Sequence, residues 1–493
     1  GRIVGSALAG VTSSPALTTF PAVGGSLRLL AGDSVDNLNV IVSDRQPATV
    51  ARWSRVEGGL PGAGRDSIAD PRIVSRPAAE GFAFDVQALR GDIRESGFSM
   101  PARSRLRAGR DIVGGSYELQ NLEPGDLSVV QADRGDIRPR GIGLQMGGPG
   151  RFLIQAGRNA DLQTQAIATG NATNPSLTTA RSARVTVVAG VSGDLDLSKL
   201  DAAYAELIEA GKTQNNARAQ AAMAAFYGTA RINGGDIDSF LSSVQTTGGA
   251  DIDLLAPKGN ITVGLTTPRV GLTVGAVTNA GGAIRSHLDG NFNINQGKVV
   301  TAQGGDILIY TSRGNIDAGR GARTSVTTPA PRRVPITNGD GVVTGFRFLL
   351  PAGVSGSGIQ TVTSDPDGPG PLAAPAAGDV FLFAPAGFVD AGEAGIVSGS
   401  NIFIAAQVVL NAANISAQGS SVGVPLAITW PLTMTVRRSA SAKTASMSCS
   451  TSKMPWSFLI ACSSTTMRSA STAPMPASGS SSKITCGSVA SVM

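Results

Sequence analysis

The chain has 493 residues, 63 of them glycine, with 4% aromatic and 15% charged side chains. That is poor material for a compact enzyme core and suits many short strands separated by glycine turns. The net charge of +6 does not mark a nucleic-acid binder: six basic residues and no acid lie beyond Pro425, so the body is balanced and lacks a clustered basic footprint.

In chain order, Gly1 is not an initiator, and "GRIVGSALAG" has no signal pattern of useful length. The N-terminus therefore reads as internal to something longer. Residues 1–197 form the first expected block. Its recurring unit is glycine, a small polar residue, then Ile, Leu or Val, as in Gly91-Asp92-Ile93, Gly125-Asp126-Leu127, Gly135-Asp136-Ile137 and Gly193-Asp194-Leu195. Copies recur near nine or ten residues and near twice that. Short apolar-alternating runs lie between them, the signature of half-buried strands joined by Gly/Asp/Asn turns.

"SKLDAAYAELIEAGKTQNNARAQAAMAAFYGTA", residues 198–230, interrupts this with Ala, Leu, Glu and Gln. It predicts a helix or a helical pair hinged near Gly211, docked on the strands by Tyr204, Leu207, Ile208, Met223 and Phe226. Residues 231–326 resume the unit at Gly235-Asp236-Ile237, Gly259-Asn260-Ile261, Gly305-Asp306-Ile307 and Gly314-Asn315-Ile316, with Ile307, Ile309 and Ile316 as inward candidates. Residues 327–377 are rich in Pro and Gly and read as a long excursion. Residues 378–424 return to the unit at Gly378-Asp379-Val380.

Residues 425–493 share neither repeat nor vocabulary with the body. They hold all three cysteines and six of the nine methionines. Two readings stand: a disordered Ser/Thr-rich tail, or translation in a shifted frame. Its apolar run "VGVPLAITWPLTMTV" is too short to span a membrane and is broken by Pro425 and Pro431. A cysteine-free body has no disulfide or thiolate metal site and passes an oxidising periplasm without mispairing.

Strict repetition of one small unit favours a solenoid, because each coil buries its apolar face only against its neighbours. The expected fold is all-β: a right-handed parallel β-helix with a helical insertion and a disordered C-terminal tail. Deleting the insertion is expected to leave the flanking blocks folded.

"RAGRDIVGGSYELQNLEPGDLSVVQADRGDIR", "GPGRFLIQAGRNADLQTQ" and "GGDILIYTSRGNIDAGRGARTSV" resemble the C-terminal part of filamentous-haemagglutinin-like bacterial exoproteins, over roughly residues 25–425. The resemblance implies a shaft in a secreted or outer-membrane-associated surface adhesin. It implies an outer-membrane two-partner secretion transporter as partner of the full-length protein, and a host-cell surface glycan or receptor as target. The family's N-terminal secretion domain, with its asparagine–proline motifs, is not recognisable here.

Two stretches carry the adhesion tripeptide that integrins recognise: Arg90-Gly91-Asp92 and Arg134-Gly135-Asp136. As turns of the repeat, they should point Ile93 and Ile137 inward. Gly91 and Gly135 should supply unusual backbone angles, leaving Arg90, Asp92, Arg134 and Asp136 at the solvent edge. A carbohydrate-active β-helix enzyme is the alternative, with Asp236/Asp238 or Asp251/Asp253 as carboxylate pairs. "GGPGRFLIQ" lacks the aspartate of the calcium-binding nonapeptide. One histidine, His287, makes His-based metal sites and triads improbable. The sequence therefore predicts no enzyme, no cofactor and no nucleic-acid partner. Asn171 and Asn260 match the glycosylation triplet by chance.

Overall fold

The computed structural model describes residues 1–5, 17–19, 26–42, 82–141, 143–170, 179–239, 242–265, 274–321, 332–337, 343–349, 357–364 and 374–425. Asn171 and residues 426–493, where the tail was expected, lie outside them.

The described body is a parallel β-helix in which each coil contributes three strands. Face 1 carries the longer strands, among them Phe84–Ala88, Ser104–Ala108, Leu127–Ala132, Arg151–Ala156, Arg184–Ala189, Ile252–Ala256, Ile284–Leu288 and Ile307–Thr311. Face 2 carries two-residue strands such as Ile93–Arg94, Ile112–Val113, Ile137–Arg138, Ile237–Asp238 and Ile261–Thr262. Face 3 carries Gly97–Met100, Tyr117–Gln120, Leu144–Gly147, Ser243–Thr246 and their successors. Among the described residues every pairing along a face is parallel, and the register shifts only where Val380–Asp390 meets Ile402–Leu410, between Ala384 and Phe388.

Register turns the repeat into stacked columns. On face 1, Val86, Leu106, Val130, Ile154, Val187 and Leu254 lie one above another. On face 2 the column runs Val35, Ile93, Ile112, Ile137, Ala160, Ile237, Ile261, Phe292 and Ile316. All these side chains are buried in one core cluster. Ile307, Ile309 and Ile316 are among the buried residues, as expected. The bore is narrow, so aliphatic side chains fill it and few aromatics are needed; the Phe98 and Tyr117 rings stack inside at 6.0 Å.

The insertion leaves the stack between Arg184–Ala189 and Ile237–Asp238. A short antiparallel ribbon of Val191–Ser192 with Arg231–Ile232 forms its stalk. Beyond it come helix α1 (Leu200–Lys212) and helix α2 (Asn216–Tyr227). Asn215 caps α2, its side chain accepting from the Arg218 backbone N–H at 3.0 Å. The chain turns at Gln214, at φ 53°, and not at Gly211. Gly211 instead sits inside α1, where a Cβ would come within 2.2 Å of the Phe383 ring. This glycine is a point of close approach between helix and coil, not a hinge.

The helical arm lies along the outer surface of face 1. Leu200, Tyr204, Leu207, Met223, Phe226 and Tyr227 form a second core cluster with the outward residues Val188, Leu255, Leu308, Tyr310, Phe381 and Phe383. Face 1 is thus buried on both sides in these coils, so Ile307–Thr311 is buried at every position. In the Ser104–Ala108 coil, by contrast, the outward residues are Arg105 and Arg107, paired with Asp85 and Asp133.

Within residues 327–377, Arg332–Thr337 and Val343–Leu349 pair as an antiparallel hairpin. The next strand, Gly358–Val362, is a regular member of face 3, stacked between Lys298–Ala302 and Ile396–Ser398.

Candidate functional site

Both tripeptides lie at the corner that leads into face 2. One column of side chains runs along this corner: Ser34, Asp92, Asp111, Asp136, Asn159, Asp236, Asn260, Asn291 and Asn315. The side-chain oxygen of each accepts a hydrogen bond from the backbone N–H of the equivalent residue in the next coil. Nine such bonds, 2.7–3.1 Å long, run from Ser34–Asp92 to Asn315–Phe388. The polar position of the repeat is therefore a rung, and its acceptor satisfies a donor that the tight corner would otherwise orphan.

The glycine has an equally specific cause, though not the expected one. Neither Gly91 nor Gly135 has a left-handed φ. A Cβ at Gly91 would lie 2.8 Å from the Asp33 carbonyl oxygen, and one at Gly135 would lie 2.6 Å from that of Arg110. At these two positions the preceding coil approaches too closely for a Cβ to fit without a shift.

The arginines follow from the ladder's charge. Asp92, Asp111 and Asp136 occupy successive coils, about 4.8 Å apart, where stacked like charges repel. Arg110 grips Asp92 through two bonds of 3.1 and 2.9 Å. Arg158 spans Asp111 and Asp136 at 3.3 and 3.1 Å. Arg94 and Arg138 flank Asp92 and Asp136 at 3.3 and 3.5 Å. Further along, the rungs Asn260, Asn291 and Asn315 are neutral.

Asp92 and Asp136 are consequently buried, at 5% and 9% exposure, and not at the solvent edge. Arg90 and Arg134 are exposed, yet each donates from Nε to a carbonyl of the preceding coil: Arg90 to Gly32 at 3.0 Å, Arg134 to Gly109 at 2.9 Å. Every charged group of both tripeptides has a partner inside the stack.

This geometry separates rung from ligand. Asp92→Asn with Asp136→Asn keeps the acceptor, as four natural Asn rungs do, while removing the carboxylate an integrin requires. We expect host-cell attachment to stay unchanged and stability to fall by less than about 1 kcal/mol per site. Asp92→Ala leaves the Asp111 N–H and the Arg110 guanidinium unpaired, and should cost about 1–3 kcal/mol in urea titration. A several-fold loss of attachment in the folded Asn variant would show that the tripeptides act as ligands.

The carboxylate pairs are also committed. Asp236 is a rung. Asp253 is completely buried beneath α1, where Arg184 donates to it at 2.6 and 2.9 Å and Thr186 at 2.9 Å. Arg184 also reaches Asp201 of α1 at 2.7 Å, and Arg285 joins Asp201 to Asp251 at 3.0 and 3.1 Å. Burial alone would lower the Arg184 pKa, but the Asp253 carboxylate outweighs it and raises it. Asp201, Asp251 and Asp253 thus fasten the arm to the coil. Among the described residues, no three His, Cys, Asp or Glu side chains gather as a metal site would require. No described helix is long and apolar enough to cross a membrane. Asn260, the described glycosylation match, is a rung that donates to Asp236 at 3.1 Å.

Parallel three-faced coils, a polar ladder and a strapped outer face define a β-helical shaft whose polar repeat serves stacking. Residues 304–426 match the family model described as filamentous haemagglutinin family outer membrane protein, the family the sequence resembles. That description accords with the extracellular or cell-surface location expected from the sequence. No curated protein and no solved structure matches the chain significantly.

Proposed function

We propose that the chain is a structural shaft segment of a large secreted or surface-exposed bacterial adhesin of the filamentous haemagglutinin type. The observation that carries this reading is the continuous ladder from Ser34 to Phe388, which commits the repeat's polar side chains to coil-on-coil stacking. The family match at residues 304–426 supports it. In this reading the shaft holds adhesive surfaces away from the cell and performs no chemistry. The full-length protein leaves through an outer-membrane two-partner secretion transporter and meets a host-cell surface glycan or receptor.

A carbohydrate-active β-helix would need carboxylates gathered in a solvent-filled groove. The Asp236 and Asp251/Asp253 positions supply a rung and a buried clamp instead. The test is to coat beads with the chain and score host-cell binding, while assaying the soluble chain for new reducing ends or unsaturated sugars on acidic and neutral polysaccharides. Bead binding without sugar release is expected. Catalytic release would overturn the shaft reading.

A further inference from the structure

The chain's one histidine lies in the seam between the arm and the coil. His287 points outward from Ile284–Leu288, between Leu255 of the preceding coil and Tyr310 of the following one. Its ring stacks on Tyr310 at 6.0 Å and meets Tyr227 of α2 at 6.1 Å. The Tyr227 hydroxyl lies 3.5 Å from Nδ1. Only 8% of the residue is exposed. A neutral imidazole suits this aromatic sandwich; among the described residues, no carboxylate is in hydrogen-bond contact to accept from an imidazolium N–H.

We propose that the helical arm is an acid-weakened strap: protonation of His287 loosens the docking of α1 and α2 on face 1 while the coils stay stacked, so that Leu308, Tyr310, Phe381 and Phe383 are uncovered more often. The stalk at Val191–Ser192 and Arg231–Ile232 allows this, because it carries the arm's chain connection to the stack while side-chain contacts hold the rest of the arm. Burial lowers the His287 pKa to about 4, with Asp289 pulling weakly the other way. A group held below its free value loses docking stability as pH falls through the interval between 6.5 and 4.

The other charged groups at the seam do not mimic this response. Asp289 is held below the ordinary carboxylate value by its bond from Arg313. Burial raises Asp201, but its bond from Arg184 and the nearby arginines bring it below the ordinary value. Arg184 pairs with Asp253, and Arg285 with Asp201 and Asp251. Burial raises Asp306, but neutralising it relieves repulsion with Asp379 and Asp251, which is the opposite sign. Tyr204, Tyr227 and Tyr310 stay neutral throughout.

Hydrogen exchange of the full chain, corrected for intrinsic rates, tests the strap. Between pH 7 and pH 5, residues 200–227 should lose about 20-fold in protection while 104–132 stays unchanged. His287→Phe keeps an aromatic ring in the sandwich and should abolish the difference. The one imidazole resonance, followed by NMR, supplies a second reading on unmodified protein and should titrate well below 6. Loss of protection in both regions together, an unchanged pH response in His287→Phe, or titration near 6.5 would each overturn the proposal.

Discussion

Replacing residues 194–229 with a short glycine linker should split the unfolding of the shaft into two transitions. Without the arm, Val188, Leu255, Leu308, Tyr310, Phe381 and Phe383 face water on the outside of face 1. At about 1.5–3 kcal/mol for each large apolar side chain, the loss is on the order of 10 kcal/mol. That matches the whole stability of an ordinary domain. The loss falls on coils from Leu127 onward, whose outward Val129 and Leu153 also join the arm's cluster, whereas the coils of Phe84–Ala88 and Ser104–Ala108 keep their own charged outer pairs. A solenoid coil normally touches only its neighbours. The arm is different: it leaves the stack after Ala189 and packs against Phe381 and Phe383, so it couples coils that share no strand pairing. Thermal melting followed by circular dichroism should show an early transition, absent from the parent, with a remaining β signal from the N-terminal coils. One transition at the parent temperature would restore the expectation that the flanking blocks stand without the insertion.

Gly259→Ala should be nearly as damaging, although it adds one methyl group. Its Cβ would lie 2.0 Å from the Gly235 carbonyl oxygen, which is backbone held in the ladder corner and cannot rotate away. The two coils would have to part by more than an ångström, loosening the Asp236–Asn260 rung and the Ile237–Ile261 stack. We expect a loss of about 3–5 kcal/mol, above the usual overpacking range because no side chain can yield. Gly125 is the matched control. It belongs to the same sequence triplet, Gly125-Asp126-Leu127, yet a Cβ there has nothing within 4 Å. Gly125→Ala should stay within about 0.5 kcal/mol of the parent. Equal urea midpoints for the two variants would refute the close-approach explanation.

The contrast between Gly259 and Gly125 shows what the repeat concealed. The triplet reads alike along the chain but serves different places. Gly91, Gly135 and Gly259 stand at the ladder corner. Gly305-Asp306-Ile307 and Gly378-Asp379-Val380 lie at the corner entering face 1, where Asp306 accepts from the Asp379 N–H at 2.8 Å. In Gly125-Asp126-Leu127 the carboxylate caps the N–H groups of Leu122 and Glu123 in a local turn. Local sequence calls for a turn in each case; only the position of the neighbouring coil decides which atom the carboxylate meets.

Sequence alone determined the coil. Period-two aliphatic runs and a repeating turn can bury their apolar side only by stacking, and Ile93, Ile137, Ile307 and Ile316 point inward as that argument requires. The helical composition of residues 198–230 was equally legible, because propensity and apolar spacing act within a few turns. The burial of Asp92 and Asp136 was not legible: their ladder partners lie 19 and 23 residues further on, and Arg110 and Arg158, which grip them, arrive from the next coils. The strapped face left a trace that alternation hides. "ILIYT" and "VFLFA" are continuously apolar, as strands covered on both sides must be. What covers them, and that Gly211 meets Phe383 across 172 positions of chain, was decided by tertiary packing, because contact between an arm and a distant coil depends on where stacking carries that coil and not on any local preference.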